Sequence, residues 1–386
     1  MGLIRVCCFC ESWGSGGIES FLNNTLSYMD RSEIEVDIIT ACLKESVFTS
    51  DLEEKGIGFF ELSGSQYRIF KNNRMFRDLL RERKYDVVHF NLFQGLSLRF
   101  VHIAKQAKVP VRIAHSHNTA LRKNRITWLK MILHRMGRAR FTRDATELWA
   151  CSEKAAEFLF SPRILAKKTY HFIPNGIETE RFCFDNTIRT AIRSELNLTD
   201  NFVIGNIGRL CYQKNQDFLL DVFTKVVEAR PNSRLLLVGE GDWESRLKAK
   251  AAQLQIADKV LFYGATNQPE YLYSAMDVFA FPSLFEGLGI VAVEAQASGL
   301  PVICSEHIPP EARVTALTKA LSLNSGVSVW AQMLIESKPN LDRTAGAQLV
   351  QHAGFDIASA ALKVQYGYTE FFKEVAAPCS NRMSPC

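Results

Sequence analysis

The chain has 386 residues, a net charge of +5, 47% hydrophobic and 23% charged residues. That length is more than one core comfortably uses and predicts two domains, in a composition ordinary for a globular protein. So mild a net charge favours no acidic partner, and no run of 18 apolar residues exists to form a membrane span.

The opening MGLIRVCCFC reads as a first β-strand, Ile4 to Cys10. Arg5 interrupts any signal-peptide core, no small-residue cleavage site follows, and Val6 stands where myristoylation requires Ser or Thr. Among ten cysteines, Cys7 and Cys10 form a lone C-x-x-C. Zinc would need a second pair, and a redox motif would open a helix, so reduced thiols in a cytoplasmic protein are expected.

The loop ESWGSGGIES follows, then a helix through Met29. Gly14, Gly16 and Gly17 suit a tight bend at a strand's carboxyl end, but Glu19 stands where a dinucleotide fingerprint needs its third glycine. Strand-like runs recur at Val36–Thr40, Gly58–Leu62, Val87–Asn91 and Val111–His115, with helical runs at Tyr67–Lys84 and Ser97–Lys108. This alternation predicts a parallel Rossmann-like sheet with ligands at the carboxyl ends of its strands. Those ends carry Gly16 and Gly17, then Asn91 to Gln94, then His115-Ser-His117-Asn118. Residues i and i+2 on a strand share a face, so both imidazoles aim the same way. Without a carboxylate or thiolate they make a poor metal site.

Leu121 to Arg143 carries Arg122, Lys123, Arg125, Lys130, Arg135, Arg138, Arg140 and Arg143 and no acid, with Ile126, Leu129, Ile132, Leu133 and Met136 at helical spacing beside Trp128. Such a basic amphipathic helix suits an anionic membrane surface, or equally packs its apolar side on its own sheet. Nucleic acid is not expected, because no interleaved aromatic and basic pattern supports stacking. Leu148–Cys151 is a further strand, and Ser152 caps a helix to Phe160. The turn Pro174-Asn175-Gly176 marks a domain boundary near Ile177 to Asp185.

The second half restarts the pattern. Phe202–Ile207 ends in Gly208-Arg209-Leu210, and Gln213-Lys214-Asn215 opens a helix through Glu228. Arg209 and Lys214, at a strand end and a helix start, suit phosphate oxygens. Strands at Leu235–Val238, Val260–Tyr263 and Asp277–Pro282 lead to FEGLGIVAVEAQASGLP, Phe285 to Pro301. Here Gly287, Leu288, Gly289 and Ile290 feed a helix N-terminus, a natural phosphate cradle, and the helix closes at Gly299. Glu286 and Glu294 lie on either side, each able to accept two hydroxyl hydrogen bonds. Val302–Ser305 and a tail helix over Asp356–Val375 follow.

The Glu286–Glu294 segment resembles the E-x7-E signature of retaining, nucleotide-sugar-dependent glycosyltransferases of family 4, which have the GT-B fold. Gly16-Gly17-Ile18-Glu19, His171 to Glu178, the Arg209–Lys214 pair and Ile308 to Glu311 agree with that family in order and spacing. The resemblance implies two Rossmann-like domains facing across a cleft, α/β in class: residues 1–180 for the acceptor, 181–364 for the donor, and a last helix of about 365–378 returning to the first domain. It implies that Glu286 contacts the donor sugar, Glu294 the ribose, and Arg209, Lys214 and the backbone of Gly287 to Ile290 the diphosphate. Gly16 and Gly17 would lie against donor phosphates or the acceptor, and His117 or His115 would contact the sugar. The implied activity is sugar transfer from a nucleotide donor, UDP-linked and needing neither metal nor cofactor, to a glycan or lipid-linked acceptor, as in exopolysaccharide or capsule synthesis; Leu121 to Arg143 would bring the cytoplasmic enzyme to the inner membrane face. A nucleotide-sugar epimerase of the same fold and a non-catalytic sugar-nucleotide-binding subunit are the rival readings.

Overall fold

A computed structural model describes residues 3–14, 16–121, 127–337 and 343–376. The chain divides into two units, Met1–Gly176 with Ile357–Cys386, and Ile177–Asp356. Both returns of the chain thus fall at the Pro-Asn-Gly turn and at Asp356. The last helix, Ile357–Ala376, belongs to the first unit over its whole length, starting earlier than residue 365.

The first unit holds seven parallel strands: β1 Ile4–Cys10, β2 Ile34–Thr40, β3 Gly58–Glu61, β4 Val87–Leu92, β5 Val111–Ser116, β6 Glu147–Ala150 and β7 His171–Phe172. Their order is β3-β2-β1-β4-β5-β6-β7, reversing direction between β1 and β4. Central strands are buried on both faces, which is why they read as near-continuous apolar runs. One face packs an aromatic cluster in which Phe9 meets Phe76 at 5.0 Å and Phe100 at 4.3 Å. The other face, carrying Cys8, His89 and His115, lies under the helices Gly17–Tyr28 and Ile357–Ala376.

The helix Thr127–Phe141 departs from sheet packing of its apolar side. Its buried face is His134 and Gly137, whereas Trp128, Leu129, Ile132, Leu133 and Met136 are exposed. His134 pins it, accepting from the Gly95 amide at 2.9 Å and donating to the Phe158 carbonyl at 2.9 Å. Arg122, Lys123, Arg125 and Ile126 lie outside the described residues.

The second unit holds β8 Phe202–Ile207, β9 Ser233–Val238, β10 Val260–Gly264, β11 Val278–Phe281, β12 Val302–Ser305 and β13 Thr318–Leu321. All are parallel, in the order β10-β9-β8-β11-β12-β13, with the reversal between β8 and β11. Such a reversal opens a crevice at the carboxyl ends of the strands where ligands bind. The loops after β8, β9 and β10 are laced there by backbone bonds, Leu210 N–H to Glu240 O at 2.9 Å and Gly239 N–H to Gly264 O at 2.7 Å.

Candidate active site

In the second unit, β11 delivers Phe281 and the loop to Gly289, and β8 delivers Gly208 to Asn215. Links between these loops include Leu284 N–H donating to Gln213 O at 2.8 Å, Asn215 Nδ2 to Pro282 O at 3.1 Å and Gln213 Nε2 to Phe285 O at 3.0 Å. On this base Lys214 Nζ reaches Glu286 Oε1 at 2.8 Å and lies 5.0 Å from the centre of the Phe281 ring. Gln213 Nε2 donates to Glu286 Oε2 at 3.2 Å. The side chains of Lys214 and Glu286 are only 15% and 8% exposed, so the pair is largely out of water. The cation expected at the phosphates and the carboxylate expected at the sugar thus stand side by side, each held by the other.

The following helix is Ile290–Ala297, with Gly289 before it at φ +88° and no side-chain cap. A Cβ at Gly289 would sit 3.0 Å from Phe281, so both conformation and space demand glycine. An uncapped helix start presents its first-turn amides and the positive end of its dipole, which suit an anion. Leu288 is buried beneath this turn. Glu294, one turn into the helix, accepts from Tyr273 Oη at 2.8 Å. Burial pushes its carboxyl up to about 7, against the lowering pull of that hydrogen bond and of the Arg181 and Lys214 charges. Arg209 is exposed at the end of β8, its carbonyl held by Gln216 Nε2 at 3.1 Å.

In the first unit, Gly16 precedes the helix Gly17–Tyr28 in extended backbone, and Gly17 is exposed. The buried Glu19 folds back so that its Oε2 lies 2.7 Å from where a Gly16 Cβ would be. A carboxylate thus already faces this helix start. His115 and His117 do share a face, with ring centres 3.9 Å apart. His115 is fully buried and bonded to His89, Nδ1 to Nε2 at 3.0 Å. His117, just past β5 and partly exposed, is bonded through Nε2 to Asn91 Oδ1 at 2.9 Å. Burial drives His115 well below the usual imidazole range and His117 to about 3, so both rings are neutral near pH 7 and can only exchange hydrogen bonds. Of the two, His117 alone reaches the surface at the strand end.

Sequence reasoning missed Tyr273 and Gln213 as supports of the two glutamates. Gln213 sits inside a recognisable motif, but nothing around Tyr273 in the sequence signals its role.

Two parallel Rossmann-like units, the second carrying a carboxylate–lysine pair beside an uncapped helix start, make an α/β architecture of the GT-B type. Residues 15–181 match Glycosyltransferase Family 4 and residues 188–325 match Glycosyl transferases group 1. EpsF of Bacillus subtilis strain 168, provisionally named a glycosyltransferase, is 31% identical over 335 residues, 86% of each chain. The GDP-mannose-dependent monoacylated alpha-(1-6)-phosphatidylinositol monomannoside mannosyltransferase of Corynebacterium glutamicum is 28% identical, covering 83% of this chain and 84% of its own. Among solved structures, Anabaena HepE in complex with UDP and glucose superposes with a TM-score of 0.76 at 19% identity, over 95% of this chain and 100% of that one. The protein belongs to glycosyltransferase family 4, the group 1 glycosyl transferases, and is an enzyme of that class.

Proposed function

We propose that the enzyme transfers a sugar, with retention of its anomeric configuration, from a UDP-linked donor to a glycan or lipid-linked acceptor in surface polysaccharide synthesis. The observation that carries the reading is the Lys214–Glu286 pair beside the Gly289 helix start. The diphosphate lies on the amides of Gly287 to Ile290, with Lys214 and Arg209 neutralising the charge that builds as it departs. Glu286 accepts hydroxyl hydrogen bonds of the donor sugar, and Glu294 those of the ribose. Glu286 positions and does not attack. His117 takes a sugar hydroxyl on its free nitrogen. Gly16 and Gly17 lie against the donor phosphates or the acceptor. No metal step is part of the proposal, the cations of the site being its own side chains. A thermal-shift panel tests the donor: UDP and UDP-sugars should raise the midpoint more than GDP and GDP-mannose. A larger shift with GDP-mannose would move the reading to the donor named for the Corynebacterium relative.

The acceptor side is proposed to work at an anionic membrane. The support is the exposed apolar row Trp128, Leu129, Ile132, Leu133 and Met136 on a helix that also carries Lys130, Arg135 and Arg140. A second acid-free basic stretch, residues 64–77, exposes Tyr67 and Phe70. No helix among the described residues is long and apolar enough to cross a membrane, so attachment would be peripheral. Each basic residue near an anionic surface contributes about 1 kcal/mol. Wild type should float with anionic liposomes at low salt, and Trp128→Glu with Ile132→Glu should not. Equal flotation of both would end the membrane reading.

A further inference from the structure

The face of the first sheet beneath the last helix buries more polar chemistry than packing needs. Tyr368, fully buried, places Oη 2.7 Å from His89 Nδ1 and 3.7 Å from Cys8 Sγ. His89 Nε2 reaches His115 Nδ1 at 3.0 Å, in nearly parallel ring planes. The His115 ring lies against that of His117 at 3.9 Å. A second route arrives at the same place, because Asn91 holds His117 Nε2 and its own Nδ2 donates to the His89 carbonyl at 3.4 Å. Phe21 closes the third side, 5.1 Å from both His115 and His117. Tyr368 is delivered by close approach of its helix: a Cβ at Gly367 would lie 2.5 Å from Trp149, on whose ring Tyr368 stacks.

Three imidazoles and a phenol in a sheet core cost desolvation that apolar side chains would avoid. The arrangement fixes the outermost ring. Since Asn91 Nδ2 is directed at a carbonyl, its Oδ1 accepts, and His117 carries its hydrogen on Nε2. His117 Nδ1 is then a lone pair, and it is a buried atom with no partner among the described residues. We propose that Tyr368 is a positioning residue that, through His89 and His115, holds His117 with Nδ1 set to accept a sugar hydroxyl. This rests on the proposed sugar contact of His117. In it the last helix is part of the catalytic support and not merely a cover.

Imidazole ¹⁵N correlation spectra of the full-length protein, with His117→Gln to identify its signal, read the position and tautomer directly. Wild type should show His117 as a single species protonated on Nε2. Tyr368→Phe keeps the ring stack and removes the hydroxyl. It should shift or split the His117 signals and lower kcat/KM for the donor about fivefold, the equivalent of one neutral hydrogen bond. His89→Gln, measured alongside, should give the same spectral change. Unchanged His117 signals in both variants overturn the proposal, as do altered signals with unchanged kinetics. If instead His117→Gln and His117→Ala transfer sugar as wild type does, the sugar contact itself is wrong, whatever the spectra of Tyr368→Phe show.

Discussion

Replacing Lys214 by Met leaves Glu286 in its buried place without the ammonium 2.8 Å away. Removing one partner of a fully buried pair costs about 3–5 kcal/mol, because the other charge stays desolvated. Gln213 still donates to Glu286, and Lys214 retains 15% exposure, which brings the expectation to about 2–3 kcal/mol. For a unit of this size that is a drop of about 4–12 °C in melting midpoint. Adding Glu286→Gln should recover most of the loss, since a neutral amide needs no counter-charge. Neither variant should regain turnover. Calorimetry supplies the midpoints, and hydrogen exchange of residues 281–297 shows whether the loss is local. A midpoint within about 1 °C of wild type for Lys214→Met, with unaltered exchange, would refute the reasoning.

Glu294 titrates from about 7 in the free protein, and hydroxyl donors stabilise its carboxylate. UDP affinity should therefore rise as pH increases through 7, and Glu294→Gln should lose that component when the two titrations are subtracted. Because the folded value lies above the ordinary one, the charge costs stability as pH rises from the ordinary carboxyl range through 7, so Glu294→Gln should melt higher than wild type at pH 8. Glu294→Ala should weaken UDP about ten- to a hundredfold by calorimetric titration, the worth of hydrogen bonds to a charged group. Arg209→Ala should cut turnover at least tenfold with an unchanged midpoint, its guanidinium being exposed, while EDTA leaves the rate unaltered.

Much of this site was legible because its demands are local. Gly289 must adopt a left-handed backbone next to Phe281, and only glycine does so cheaply, so the Gly-Leu-Gly before a helix was readable. The parallel Rossmann-like sheets followed from alternation of apolar runs with helices, and the Ser152 cap from its position, its Oγ accepting from the Ala155 amide at 3.2 Å. What stayed hidden depends on residues far apart in the chain. Tyr273 meets Glu294 across 21 positions and Tyr368 meets His89 across 279, with no spacing to betray either. Which of His115 and His117 is exposed depends on burial, which their spacing does not report. The helix Thr127–Phe141 had the right periodicity, yet periodicity does not say which side is buried, and Gly137 with His134, set against the turn at Gly95, took that place instead of the apolar row.

Transfer of labelled sugar from UDP-linked donors into lipid-extractable product, by wild type and by Glu286→Ala, tests the central claim most directly. The label should enter the lipid fraction with wild type and membrane acceptor together, and with neither Glu286→Ala nor acceptor-free reactions. Conversion of the donor to another nucleotide sugar at the same rate without acceptor would contradict sugar transfer and make the protein an epimerase.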